Sequence, residues 1–341
     1  MTSRQPRVSI KDVANAAGVS ITTVSHALSG KGRLPERTRE RVRAVAAELG
    51  YTPHPAARSL ASGRTGLVAT VVSLPGNAPL AFTEIDYYAQ LMNGATRTAI
   101  ERGLALVLAP STAGPKTWGV LPLDGVIVID PADGDPTVDM LRRRGVPIVF
   151  VGRDPNGSAG DLVVQNDRRA ATRTVLEHLA AAGADRIGLL TLRTFESFTE
   201  DCLAEYHDWI DSSGRRSIVC VTEADSTAGP PAIRAAAQAF LDDEARPDAV
   251  FCLYERLAVE LLDAARARGI RVPQDLLVAT ISEMGMAGTT RPPLTTLEIN
   301  QDQLGQLAAS LLCDALDGLE VRSVLDVPTR LIARGSTARR P

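Results

Sequence analysis

From residue 66 onward the chain alternates ten short, strongly apolar runs with amphipathic stretches. The runs are GLVATVV, LALVLAP, GVIVID, PIVFVG, DLVVQN, RIGLLTL, SIVCVT, AVFCLY, LLVATIS and LTTLEI. Strands buried on both faces read this way, and they form parallel sheets covered by helices on each side. Ten strands are too many for one compact doubly wound unit, so the pattern predicts two α/β lobes. A length of 341 residues agrees with more than one domain. Only 4% of the residues are aromatic against 45% hydrophobic, so Ala, Val and Leu must do most of the packing. The four cysteines, Cys202, Cys220, Cys252 and Cys313, lie far apart without a CxxC pair, which speaks against a disulfide framework or a zinc site. No run approaches the ~20 apolar residues that span a bilayer, and MTSRQPRVSIKD lacks the apolar stretch of a signal peptide. The expected location is cytoplasmic, with no membrane partner.

Ahead of the lobes lies a segment of different character. Residues 1–64 carry eleven Lys and Arg against four Asp and Glu, whereas the remaining 277 residues carry 26 against 36. A basic head on an acidic body points to a head that meets a polyanion. Within the head, Ser9 can cap a helix with Asp12 answering back. Ile10, Val13, Ala14 and Ala17 then form one apolar face. Gly18 stops that helix and Val19 plugs the turn. Ser20 caps a second helix through ITTVSHALS, with Val24, Ala27 and Leu28 inward. Pro35 opens a third helix with Val42, Val45, Ala46 and Leu49 inside, Arg37, Arg39, Arg41 and Arg43 outside, and Gly50 at its end. Two short helices around a Gly turn, braced by a third, make a helix-turn-helix. The second helix is the one able to enter a major groove. Its Ser20, Ile21, Thr22, Thr23, Ser25 and His26 are the candidate base- and phosphate-contacting set. Thr22 offers a hydroxyl, His26 a donor or acceptor for a guanine edge, and Ile21 an apolar contact to a thymine methyl.

The run IKDVANAAGVSITTVSHAL resembles the headpiece of the lac repressor family, nearest its purine repressor branch, and YTPHPAARSLASGRTGLVA resembles the family's hinge and first core strand. The resemblance implies an all-α headpiece over residues 1–50, a hinge over 51–64, and a type I periplasmic-binding-protein-like core over 65–341. It implies three crossings between the core lobes, near Gly160, Thr289 and Arg322. The first lobe is then about 65–160 and 290–321, and the second about 161–289 and 322–341. It also implies a hinge that becomes helical when two copies pair on DNA. Leu60, preceded by Ala57 and Arg58, would then wedge into a minor-groove step and kink the duplex. The implied partners are a palindromic double-stranded operator with a deformable central CG step, a second copy of the chain, and a small-molecule effector in the cleft at the strands' carboxyl ends. The ending ARGSTARRP lacks a leucine-rich helix, so the expectation is a dimer rather than a tetramer.

A Rossmann-like enzyme fused to a DNA-binding head is the competing reading of the core. Against it, no strand is followed by GxGxxG or a GKS/GKT loop, and no nucleophile elbow appears. His178 and His207 fall on helical stretches without a Ser or Cys partner, so neither catalytic residues, a metal nor a cofactor is expected. The cleft departs from the family pattern. Where relatives carry an Arg in RLxG(Y/W), the stretch here is CLAEY, which puts Cys202 in that place. VATISE places Ser282, followed by Glu283, where relatives have a ligand-holding Asp, and YERLA gives Tyr254 and Glu255 in place of NDxxA. The aromatic pair is kept as Tyr87 and Tyr88, with Phe195 and Phe198 in the loop after RIGLLTL as further wall. The set reads as a less polar cleft whose effector is neither a simple sugar nor a purine, or as a degenerate cleft in an effector-independent regulator. The first lobe also looks trimmed, with PSTAGPKTWGVLP in place of a full helix.

Overall fold

A computed structural model describes residues 8–29, 32–51, 63–73, 86–109, 115–193, 197–225, 229–242, 247–281 and 285–339. The chain divides into two compact units, Met1–Leu67 and Val68–Pro341. The first is built on α1 (Ile10–Ala17), α2 (Ile21–Ser29) and α3 (Glu36–Glu48). Asp12 accepts from both the amide and the hydroxyl of Ser9, at 2.8 and 2.7 Å, which fixes the start of α1. Those bonds also lower the Asp12 pKa. Gly18 ends the helix at φ 62°, in the left-handed region that a side chain would resist. Val13, Ala14, Ala17, Val24, Ala27, Val42 and Ala46 form the small core. Two positions differ from the sequence expectation. Leu49 is exposed, because it caps α3 and Gly50 then turns the chain back at φ 64°. Tyr51 packs against the core instead, its amide bonded to Ala46 O at 2.8 Å. Arg39 is not outside: its side chain is only 15% exposed, lying 3.5 Å from Glu36.

The second unit holds two six-stranded sheets. The strands of the first lobe are β1 (Leu67–Val72), β2 (Ala105–Leu108), β3 (Gly125–Ile129), β4 (Ile148–Val151), β5 (Leu162–Gln165) and β11 (Val324–Asp326). They lie in the order β2-β1-β3-β4-β5-β11. The second lobe holds β6 (Ile187–Arg193), β7 (Val219–Asp225), β8 (Ala249–Cys252), β9 (Leu277–Ile281), β10 (Thr295–Glu298) and β12 (Arg330–Ile332). Their order is β7-β6-β8-β9-β10-β12, with β10 and β12 antiparallel. Each lobe therefore repeats the doubly wound order with its switch point beside the first strand.

The lobe boundaries fall later than the sequence suggested. β5 pairs with β4, Phe150 opposite Val163, so it completes the first lobe rather than opening the second. β10 pairs with β9 in the second lobe, and β11 returns to the first by pairing with β5. The crossings thus lie just beyond β5, β10 and β11, not near Gly160, Thr289 and Arg322. The reason is hydrogen bonding: a run that pairs with the strand before it stays in that lobe until its last paired residue. The buried Asn166 joins all three crossings, its amide donating to Ile299 O at 3.1 Å and Val327 O at 2.8 Å.

Helices α4 (Asp86–Glu101) and α11 (Gln301–Leu316) cover the first lobe together. They touch through glycines: a Cβ on Gly94 would lie 2.1 Å from Asp302 O, and one on Gly305 1.9 Å from Leu91 O. Among its described residues the connection after β2 carries the short α5 (Pro115–Val120), anchored by the fully buried Trp118. The second lobe is clad by α7 (Arg168–Ala181), α8 (Ser197–Ser213), α9 (Pro230–Leu241) and α10 (Glu255–Ala267), while α6 (Pro136–Arg143) belongs to the first. Among the described residues no helix is long and apolar enough to cross a membrane.

Candidate DNA-reading surface and inter-lobe cleft

In the small unit the surface follows from the core. Val24 and Ala27 are fully buried, which turns Ile21, Thr22 and His26 outward on the opposite face of α2. Ile21 is 44% exposed, an aliphatic side chain left in water at the start of a helix. Ser20 and Thr23 are engaged locally, the Thr23 amide donating to Ser20 Oγ at 3.1 Å and the two hydroxyls 2.9 Å apart. Ser25 is half-buried. The His26 ring lies against the backbone of Gly32, where a Cβ would sit 2.8 Å from Nδ1. That glycine therefore allows the approach and sets the ring's position. Lys11, Arg33, Arg37, Arg41 and Arg43 are also exposed. The surface offers hydroxyl, imidazole and aliphatic groups ringed by cations, which is what a duplex groove and its phosphates require. Ala57, Arg58 and Leu60 lie outside the described residues.

In the large unit, the ends of β3 and β4 face the starts of α7 and α8 across the lobes. Asp130 follows β3 with φ 47°, and its carboxylate is buried. The hydroxyls of Tyr88 and Tyr87 hydrogen-bond it, Tyr87 at 3.4 Å. Burial pushes the Asp130 pKa from 3.8 up to about 6, while the positive charge of Arg168 and the two hydroxyls hold it down. Gly152 lies beside Asp130, where a Cβ would make ordinary contact 3.4 Å from Oδ1, and its φ of 86° is what calls for glycine.

From the second lobe, Arg168 in the first turn of α7 lies over the ring of Phe198, 4.8 Å from its centroid. Phe198 meets Tyr254 edge-on at 5.8 Å, and Tyr254 Oη lies 3.4 Å from Thr199 Oγ1. Two contacts bridge the lobes directly: Arg153 to Asp201 at 2.9 Å, and Ser197 Oγ donating to Arg153 O at 2.5 Å. The pocket left between Asp130, Gln165, Arg168 and these bridges encloses about 10 Å³, the order of one water.

This cleft is more charged than its sequence suggested. Tyr87, Tyr88, Phe198 and Tyr254 do gather at or beside it, although Phe198 sits on α8 rather than in a loop. Cys202 lies one turn further along α8 and is 1% exposed within the apolar core. Burial pushes its thiol up to about 11, with a hydrogen bond to Thr172 and the charge of Arg168 opposing. It is a protonated packing group beneath Arg168, not a wall of the pocket. Phe195, Ser282 and Glu283 lie outside the described residues. Glu255 is fully buried and accepts from the Ala287 amide, so it braces the loop after β9. His178 Nε2 is 2.8 Å from Thr337 Oγ1, tying α7 to the C-terminal segment. Among the described residues there is no group of His, Cys, Asp and Glu able to hold a metal ion.

Sequence reasoning missed Asp130, Gly152, Arg153, Arg168 and Asp201. Two of them carried signals. Asp130 ends an apolar strand at its carboxyl end, where α/β sheets place ligand groups. Arg168 puts a cation in the first turn of a helix, against the dipole.

The model for bacterial regulatory proteins of the lacI family matches residues 9–54, and a periplasmic binding protein-like domain model matches 176–337. Among curated proteins, the HTH-type transcriptional regulator CelR of Thermobifida fusca is 31% identical over 98% of this chain and 99% of its own length. The HTH-type transcriptional repressor PurR of Photobacterium profundum is 26% identical over 96% of this chain and 98% of its own. Among solved structures, a transcriptional regulator CelR–cellobiose complex matches with a TM-score of 0.72 and 28% identity, over 97% of this chain and 100% of that one. The lac repressor dimer bound to operator and the anti-inducer ONPF shares the fold at a TM-score of 0.79 and 24% identity, over 98% and 100%.

Proposed function

The chain belongs to the lacI family of bacterial regulatory proteins and is a DNA-binding transcriptional regulator rather than an enzyme, and from that premise we propose that it is a cytoplasmic repressor that binds a palindromic operator as a homodimer under the control of a small molecule held between its core lobes. One observation carries the DNA half of this reading: Ile21, Thr22 and His26 stand exposed on α2 above a packed Val24–Ala27 face. A single such helix covers one half-site, and a two-fold operator calls for two copies. The core half rests on the charged pocket between the lobes, at the switch points of two matched sheets. Cellobiose, bound in the CelR complex, is a neutral disaccharide. The effector of this chain is neither a simple sugar nor a purine, and it enters when the Arg153–Asp201 and Ser197 bridges part.

Selection of binding sites from random DNA, followed by footprinting, tests the DNA reading. The expected site is a palindrome with a deformable centre, by family resemblance a CG step. Thr22→Ala and His26→Ala should each relax base choice at a cost of ~1–3 kcal/mol. Leu60→Ala should remove the bend and much of the affinity. Affinity should fall steeply with salt, because the basic head displaces counterions. A selected site without two-fold symmetry, or a footprint unchanged in Leu60→Ala, refutes the arrangement.

A further inference from the structure

We infer that the effector joins a carboxylate to a neighbouring hydroxyl or amine, with the carboxylate gripped by Arg168 and the donor accepted by Asp130. The inference rests on the effector-controlled reading above and deepens it. The pocket is lined by two arginines and two aspartates, and their pairing is uneven. Arg153 is matched by Asp201 at 2.9 Å. Arg168 has no ion pair and no hydrogen-bond acceptor among the described residues. Its guanidinium carbon lies over the Phe198 ring, 4.8 Å from the centroid, a cation–π contact that holds the head group at the pocket without using any of its N–H donors. Its place in the first turn of α7 sets the charge against the helix dipole.

Opposite stands Asp130, held by Tyr87 and Tyr88 and backed by Gly152. An ionised carboxylate has about four lone-pair sites, so two tyrosine hydroxyls leave it able to accept again. The facing pair is thus a planar donor fork and a carboxylate acceptor, one on each lobe. A neutral sugar satisfies the acceptor but gives the guanidinium no charged hydrogen-bond acceptor, leaving it only the unbonded charge of Asp130 as the lobes close and water leaves. A phosphate would bring a second negative charge beside Asp130 and Asp201 with one unpaired cation to meet it. A monoanionic carboxylate with an adjacent hydroxyl or amine matches both sides. Bound in that way it also links the lobes.

Titration calorimetry and thermal shift on the full chain test this with gluconate, galacturonate and glutamate against glucose, cellobiose, adenine and glucose 6-phosphate. At least one carboxylate should bind and raise the melting temperature, with no response to the neutral compounds or the phosphate. Arg168→Gln should weaken that binding by about 10- to 100-fold, the scale of a charge-assisted bond. Arg168→Lys keeps the charge without the planar fork and should retain part of the affinity, which covers a folding failure of the first variant. Tight binding of glucose or cellobiose that survives Arg168→Gln overturns the inference and leaves effector control standing. Preference for the phosphate overturns the carboxylate assignment. Silence of the whole panel, with melting and DNA binding unmoved, overturns both readings.

Discussion

Asp130→Asn should stabilise the protein at neutral pH. The folded structure buries the Asp130 carboxyl and raises its pKa from 3.8 to about 6. A raised carboxyl pKa means the folded state holds its proton more tightly than the unfolded chain does. Stability from this group is therefore greatest below the unfolded value, falls as pH climbs from about 4 to 6, and stays at its lowest above that. At 1.36 kcal/mol per pKa unit, the full loss is about 3 kcal/mol above pH 7 and about half of that at pH 5. Asparagine keeps the shape, carries no charge, and tolerates the φ of 47° that Asp130 adopts. Urea unfolding of wild type and variant at pH 5 and 7.5 measures the difference. At pH 7.5 the variant's midpoint should rise by about 1 M, and the gap should narrow by about half at pH 5. A variant no more stable than wild type at pH 7.5, or a gap that does not change with pH, refutes the argument. The gain should come with weaker effector binding, since a functional site often holds groups that stability alone would not choose.

How much of this was legible in the sequence depended on how locally each feature is encoded. The headpiece was readable because its signals sit within four residues of one another: Ser9 with Asp12, Gly18 after Ala17, Val24 with Ala27. Its errors came in α3, at the start where Arg39 folds down beside Glu36 and at the end where the Gly50 turn brings in Tyr51 and turns Leu49 out. The ten apolar runs gave two parallel lobes, because strands buried on both faces have no polar alternation to confuse them. The lobe in which a run lies depends on its partner strand, and the pairing of β5 with β4 or of β11 with β5 spans distances that no local pattern reports. The cleft was hardest to read. By motif position Cys202 falls where relatives hold a ligand, yet it is buried within α8. The charges that face the pocket, Asp130 and Arg168, lie at a strand end and a helix start that meet only after the two lobes close together.

Two further predictions concern the frame that holds the cleft. Gly305→Ala should destabilise the core by about 3 kcal/mol in calorimetry, because its Cβ would fall 1.9 Å from Leu91 O and force α4 and α11 apart. A melting temperature within a degree of wild type would show that the two helices are not in contact there. Asn166→Ala removes the donor shared by Ile299 O and Val327 O, leaving two buried carbonyls unpaired at a cost of about 1–3 kcal/mol. Because those carbonyls lie on the second and third crossings, the loss should be concentrated there. Hydrogen exchange should speed up in the segments following β10 and β11 while the sheet interiors of both lobes stay protected. Uniform acceleration across both sheets would instead mean that Asn166 supports global stability, and the crossings would not be a separable joint between the lobes.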